Sequence, residues 1–481
     1  MKLDNKEFFK LSFLYTAVAA FPPILNLFVR PIIEGDGKLA PADFSQIEIA
    51  ETIITLVFIT ATLAMTNAIA RFYYDFQEDK KGYDKLISGI FNSILIRGGV
   101  ILLVAFVLRN YIGKIFTQTE LQDFTKYGFA AILVGISRAI YMTAFALFRN
   151  EKKVRLFLIL SLILGILRTV FQLIGVFHYN MSFIGYVWGT CIGSGTVAII
   201  ILIFVYRRSG FHYDRSIMKS VNHFAIPLFQ YAFVAWGISY ADRYFLESAP
   251  VVLGIYSQAL NLGRGMEIIL QGLQGASQPE MFRLMKDGIM KNMDEIKKLS
   301  HLLMAQTQVI IALAIIPAML YCSIFKTELR QAGELISLFF IIYLLRTQFI
   351  IFSFPVYFEK KTRIFLYLNI IVLAFNLLLL YLLIPVWQAY GAIAALLCSQ
   401  TIQAAGIFVY QKKLVKISWN LNKLMVFPFC IIGLTVILEL IKLRFGINPF
   451  IFAPVVVLAI FTSLYFLYKN EIRKLLVRVW K

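Results

Sequence analysis

The chain has 481 residues, of which 59% are hydrophobic, 15% aromatic and only 15% charged, with a mean hydropathy of +0.75. A soluble domain carries about 45–50% apolar and about 25% charged residues, so most of this surface does not face water. The formal net charge of +20 does not point to nucleic acid, because the basic residues fall in short clusters between apolar runs rather than on one face of a soluble element.

A bilayer core needs about 20 apolar residues per helix. On that measure the sequence predicts an all-α integral membrane protein with about fourteen transmembrane helices. The spans fall at 8–33, 42–71, 85–110, 120–149, 154–178, 182–206, 220–248, 250–280, 299–324, 332–357, 362–385, 389–410, 422–442 and 448–469. The connections are short, the longest being 282–298. The first run continues through Pro22 and Pro23 to Ile33, too long for the apolar core of a cleavable signal. The four cysteines form no C-x-x-C pair, and His178, His212, His223 and His301 lack ligand spacing. Neither a disulfide framework nor a metal site is expected.

Lys and Arg set the orientation. Clusters at Lys2/Lys6/Lys10, Arg71/Lys80/Lys81/Lys85, Arg149/Lys152/Lys153/Arg155 and Arg207/Arg208/Arg215/Lys219 flank the first six spans on one side. Arg283/Lys286/Lys291/Lys297/Lys298, Lys360/Lys361/Arg363, Lys412/Lys413/Lys416/Lys423 and the tail Lys469/Arg473/Lys474/Arg478/Lys481 continue the series on the same side. The opposite face holds Arg30, Lys38, Arg109, Lys114, Lys126, Lys326, Arg330, Lys442 and Arg444. The bias predicts both termini in the cytoplasm.

An internal repeat supports two halves. Glu151-Lys152-Lys153-Val154-Arg155-Leu156-Phe157-Leu158 matches Glu359-Lys360-Lys361-Thr362-Arg363-Ile364-Phe365-Leu366. Each copy opens an apolar helix, and a second helix follows from near Gly185 or Gly391. The copies lie six spans apart, an even number, so the halves share one orientation. The expectation is two parallel six-helix lobes, 1–215 and 216–413, and an appended helix pair with a basic tail, 414–481.

Span eight carries the densest polar pattern. Tyr256, Ser257, Asn261, Arg264, Glu267, Gln271, Gln274 and Gln278 fall within about 140° of arc at 100° per residue. Hydrocarbon cannot satisfy such a stripe, so it faces protein or a water-filled cavity. Span two is its counterpart, with Glu48, Glu51, Thr52, Thr55, Thr62 and Thr66. Six arginines, Arg97, Arg138, Arg168, Arg243, Arg264 and Arg346, lie inside spans, where each costs about 2.5–3.5 kcal/mol at a helix centre. Some are expected as struts bonded to helix carbonyls; the remainder, with Arg30, suit the oxygens of an anionic guest. Asp242, Glu267, Glu48 and Glu51 are candidates for coupling or gating by H+ or Na+, or for plain ion pairs with a neighbouring arginine. Pro22-Pro23 and Pro227 interrupt corresponding first helices of the two halves, which suits a gate or static packing. Gly185, Gly189 and Gly193 form a G-x-x-x-G-x-x-x-G run that reads as a close helix contact. No enzyme constellation emerges: Ser216–Lys219 matches S-x-x-K by chance in a basic loop.

The run from Ile226-Pro227-Leu228-Phe229-Gln230 through Ala241-Asp242-Arg243-Tyr244-Phe245-Leu246 and Val252-Leu253-Gly254-Ile255-Tyr256-Ser257-Gln258-Ala259 to Pro279, with Ala146-Leu147-Phe148-Arg149, resembles the seventh and eighth helices and the fourth-span exit of Wzx-type polysaccharide (O-antigen) flippases. These belong to the multidrug/oligosaccharidyl-lipid/polysaccharide (MOP) exporter superfamily. The resemblance implies a MATE/MurJ-like fold, a bacterial inner-membrane location and a rocker-switch carrier around a central cationic cavity. The implied cargo is an undecaprenyl-diphosphate-linked oligosaccharide, with Arg264, Arg97, Arg138, Arg168, Arg346, Arg243, Arg30, Asn261, Gln271 and Tyr256 lining its site. It further implies membrane lipids and polysaccharide polymerase or assembly proteins as partners, a monomer, and no cofactor beyond a coupling ion. A lipid II flippase remains an alternative. A cation-coupled multidrug exporter is another, although no acidic residue lies between Leu11 and Val29. A membrane glycan polymerase is a third reading, disfavoured because the chain lacks a large external loop.

Overall fold

The computed structural model describes residues 21–479 apart from 23, 36–37, 77–78, 179–181 and 447–448. The expected Lys2/Lys6/Lys10 cluster, the first part of span one, Pro23 and Lys481 lie outside the described residues. The chain is all-helical, with no strand among the described residues. Two compact units divide after Gly254.

The first unit contains α1 (Ile24–Ile33), α2 (Pro41–Thr62), α3 (Met65–Phe72), α4 (Lys80–Gly113), the single turn α5 (Thr119–Gln122) and α6 (Phe124–Asn150). It continues through α7 (Val154–Phe177), α8 (Ser182–Ser209) and α9 (Arg215–Leu246). The second has α10 (Pro250–Lys286, from Ile255), α11 (Met293–Ser323), α12 (Ile336–Phe358), α13 (Arg363–Leu414), α14 (Phe427–Phe445) and α15 (Pro449–Val479). Ten described stretches, among them α2 with α3 and α13, are long and apolar enough to cross a membrane. The chain is a multi-pass membrane protein. α13 is two passes joined at non-helical Gln388 (φ 47°, ψ −120°), where the sequence places the boundary of spans eleven and twelve. α10 falls below that apolarity because its polar stripe runs along it. α10 and α11 extend into the expected 282–298 connection from its two ends.

Small residues place the central helices. α6 is buried along most of its length and packs on α2, α4 and α8. A Cβ at Gly135 of α6 would collide with Val57 and the Ile54 carbonyl of α2. Along α8, Gly185, Gly189 and Gly193 meet α7 backbone to backbone, against Gly175, Phe171 and Arg168 in turn. The spacing predicted this contact. In the second unit α12 takes the central place, packing on α11, α13 and α14. The two passes of α13 are tied by side chains, Gln403 donating to Asn369 at 2.7 Å and Ser399 to Asn376 at 3.0 Å.

The repeat holds at the level of single backbone bonds. In the first copy the N–H groups of Glu151, Lys152 and Lys153 donate to Leu147, Arg149 and Phe148; in the second, those of Glu359, Lys360 and Lys361 donate to Pro355, Tyr357 and Val356. Lys152 and Lys360 share a left-handed backbone, φ 55° and 57°. The copies differ at the glutamate. Glu359 is exposed, whereas Glu151 accepts from Tyr83 of α4 and Arg208 of α8, both at 2.5 Å, and pairs with Lys153 at 2.8 Å. Burial opposes its ionisation, but the bonds from Lys153, Tyr83 and Arg208 outweigh it and hold the carboxyl below its ordinary value.

Span two does not cross as one helix. α2 ends at Thr62, and Leu63 and Ala64 take left-handed φ values of 45° and 57° before α3 begins. Neither residue is glycine, so the break carries strain of about 1–2 kcal/mol per residue. It also frees backbone carbonyls that need a donor. Arg97 of α4 answers them, Nε donating to Ala61 O at 2.8 Å and Nη2 to Thr62 O at 3.3 Å. Through these bonds Arg97 caps the broken helix.

Three outcomes follow from these contacts. Gly189→Leu forces α7 and α8 apart and costs about 1–3 kcal/mol, read as a lower melting temperature in detergent, while Gly195→Ala, which meets no atom within 4 Å, leaves it unchanged. Arg97→Met leaves the Ala61 and Thr62 carbonyls without that donor and lowers stability by about 1–3 kcal/mol, seen as reduced membrane abundance. Because the folded Glu151 carboxyl titrates below its ordinary 4.5, its stabilisation is complete above that value and disappears as the pH falls through the folded one. Melting curves taken from neutral pH down through the acid range below 4.5 therefore show an acid loss that Glu151→Gln reduces.

Candidate functional site

In the first unit the polar residues of α2 are answered by α6 and α9. Glu51 accepts from Arg138 of α6 at 2.7 Å, Arg138 reaches Thr55 Oγ1 at 3.4 Å, and Thr55 donates to the Tyr240 hydroxyl of α9 at 3.3 Å. One turn along, Arg243 of α9 donates from Nε to Glu48 at 3.1 Å and from Nη1 to Asp242 at 2.8 Å, with its guanidinium over the Tyr240 ring. Arg243 and Glu48 are sealed, with side chains 2% and 1% exposed. Burying two charges costs several kcal/mol each unless they are well paired, and removal of one partner strands the other. Two of the carboxylates expected as gating candidates, Glu48 and Asp242, thus share one arginine.

The other first-unit candidates lie around α1, α7 and α8. Arg30 is buried with its guanidinium over the Phe44 ring. The Tyr186 hydroxyl of α8 donates to Asn26 at 3.2 Å and sits within electrostatic reach of Arg30, Arg168 and Glu51. Arg168 belongs to α7, and its buried Nε has no acceptor among the described residues. Pro22 is helical and half-buried; Pro227 lies inside α9, which runs on to Leu246.

The second unit brings the span-eight stripe against α12. Arg346 of α12 grips Glu267 bidentately, Nε to Oε2 at 3.2 Å and Nη2 to Oε1 at 3.0 Å. One turn before Glu267, Arg264 donates to Asn261 Oδ1 at 2.7 Å, and Asn261 donates to the Ser257 carbonyl. The Tyr343 hydroxyl of α12 donates to Gly263 O at 2.5 Å and lies within electrostatic reach of Glu267, Arg346 and Arg264. Tyr256 is fully buried against Phe339, so it anchors α10, whereas Gln271 is exposed. Among the described residues, a methyl added at Gly265, Gly272 or Gly275 of α10 meets no atom within 4 Å. The arrangement offers two guanidinium groups and one carboxylate with partial access, which suits a guest carrying more than one negative charge. Among the described residues no three His, Cys, Asp or Glu side chains gather as a metal site needs.

Sequence reasoning found the charged members but not their holders. Tyr240 and Tyr343 read as ordinary aromatic residues. Glu247 follows α9 and accepts from the backbone N–H groups of Thr117 and Gln118 and from the Thr117 hydroxyl; only its place after span seven marks it. Lys442 is buried on α14, paired with Glu439, with Nζ donating to the Glu334 carbonyl at 3.2 Å.

No curated protein matches the chain by sequence. Among solved structures, the lipid II flippase MurJ in an inward closed conformation is similar with a TM-score of 0.68 at 13% identity, covering 96% of this chain and 100% of that one. An inward-facing multidrug resistance MATE family transporter of the MOP superfamily is similar at 0.65 and 14% identity, covering 84% and 97%. At that identity the likeness establishes the fold, which is MATE/MurJ-like as the resemblance implied. The profile of the polysaccharide biosynthesis protein family matches residues 39–332, more than half of the chain. The chain belongs to the polysaccharide biosynthesis protein family.

Proposed function

We propose that this protein is a Wzx-type flippase that turns an undecaprenyl-diphosphate-linked oligosaccharide from the inner to the outer leaflet of a bacterial cytoplasmic membrane. Family membership supports a role in glycan assembly, and the fold is shared with a protein described as a lipid II flippase. One observation carries the choice of cargo: Arg264 and Arg346 stand partly exposed on membrane helices α10 and α12. A guanidinium at that depth is costly in hydrocarbon, and its fork matches phosphate oxygens. The diphosphate binds there while the prenyl tail stays in lipid. The site opens to one leaflet and then the other by alternating access, driven by an H+ or Na+ gradient. In this reading both termini are cytoplasmic, the protein acts as a monomer, and polysaccharide polymerase and assembly proteins receive its product. A multidrug exporter is the weaker reading, because an arginine pair repels cationic drugs.

Deletion of the gene removes the surface polysaccharide and accumulates its lipid-linked precursor, measured by glycan profiling of the cell envelope. Arg264→Ala lowers export at least about tenfold, equivalent to about 1.4 kcal/mol of lost interaction, while the protein still accumulates in the membrane. Unchanged surface glycan after deletion overturns the function; unchanged export in the variant removes Arg264 from the site.

A further inference from the structure

We propose that Glu267 is an internal stand-in for the cargo's anion: it occupies the Arg346 fork when the carrier is empty and is exchanged for a phosphate group when the carrier loads. The proposal rests on the flippase reading only for the identity of the anion.

The geometry of the pair is the first ground. A guanidinium fork accepts a carboxylate or a phosphate through the same two parallel N–H···O bonds, and here both are made to one carboxylate, at 3.2 and 3.0 Å. Accessibility is the second. The side chains of Arg346 and Glu267 keep 36% and 30% exposure, against 2% and 1% for Arg243 and Glu48. One pair is built into the packing, whereas the other can be opened without unpacking a helix. The third is the surrounding charge. Arg264 lies three residues before Glu267 on α10, and i, i+3 neighbours on a helix touch. Tyr343 sits among Arg264, Glu267 and Arg346 and is itself tethered to Gly263. Among the described contacts Glu267 is the carboxylate that Arg346 holds, and Arg264, bonded to Asn261, lies three residues before it on the same helix.

These facts define an exchange. In the empty carrier Arg346 is neutralised by Glu267, which avoids an uncompensated guanidinium in the membrane. An arriving diphosphate brings more negative charge than a carboxylate and takes the fork. Glu267 then turns to Arg264, one turn away on its own helix. Arg346 stays paired in both states, and its affinity for the cargo is lowered by the work of displacing Glu267. That reduction favours release, which a carrier needs as much as capture.

The test uses the full-length protein purified in detergent, with inorganic pyrophosphate as the probe and calorimetry or ligand-induced thermal stabilisation as the readout. Glu267→Gln cannot compete as an anion, and pyrophosphate binds it about tenfold tighter than wild type, a gain of about 1.4 kcal/mol. Glu267→Asp keeps the charge but shortens the reach, and gives an intermediate gain. Adding Arg346→Gln to Glu267→Gln abolishes the gain. Glu280→Gln removes an equal charge from the same helix at an exposed pair with Arg283 and leaves the affinity unchanged, since a pair in water holds little energy. Affinity in Glu267→Gln equal to or weaker than wild type overturns the exchange, as does an equal gain in Glu280→Gln. Should Glu267→Gln not fold, the Glu267→Asp comparison decides alone, and no gain there overturns it. If gene deletion leaves the surface glycan intact while Glu267→Gln still tightens pyrophosphate binding, the exchange stands and the cargo assignment falls.

Discussion

Hydrocarbon supplies neither donors nor acceptors, and this one deficiency organises the molecule. Every polar group carried into a span must be answered by protein, or else must border water. The Ala61 and Thr62 carbonyls at the break after α2 receive Arg97. Thr307 and Thr347 meet hydroxyl to hydroxyl at 3.1 Å between α11 and α12. Arg243 is shared by Glu48 and Asp242. In these arrangements residues that a sequence marks as candidates for a site also hold helices together. What separates Arg346 and Glu267 from them is incomplete enclosure, since the same fork geometry is left with room for something else to approach.

Much of the fold was legible because membrane helices announce themselves by length and apolarity. The repeat was legible because Glu-Lys-Lys recurs before equivalent helices, and the structure repeats its backbone bonds one for one. The interruption after Thr62 was not. Leu63 and Ala64 carry neither the glycine nor the proline that marks a break, and the group that permits it, Arg97, arrives from another helix. The stripe on α10 could be read from its periodicity, but not the identity of its partners. The bond between Arg346 and Glu267 joins residues 79 apart, and that between Arg243 and Glu48 spans 195; no local pattern encodes such distances. Carboxylates were candidates for either gating or pairing, and the sequence could not say that two of them would answer to a single arginine.

The two repeats solve the same packing problem with different chemistry. Counted from the shared turn, Arg168 of α7 corresponds to Asn376 of α13; counted from Gly185 and Gly391, Gly193 corresponds to Ser399. In the second unit these positions are joined by a hydrogen bond between Ser399 and Asn376. In the first, a Cβ at Gly193 would fall 2.7 Å from the Arg168 backbone, and close approach replaces the polar link. The Nε of Arg168 has no acceptor among the described residues. One copy thus carries an amide at this position and the other a guanidinium.

The left-handed lysines have a further meaning. Lys152 and Lys360 occupy a backbone conformation in which glycine is at ease and a side chain is not, so each copy retains the less comfortable residue. A glycine would relax the turn but remove the positive charge that both copies carry there. Each turn therefore holds a small permanent tension, the same in both copies, where the chain keeps a charged side chain instead of an unstrained glycine.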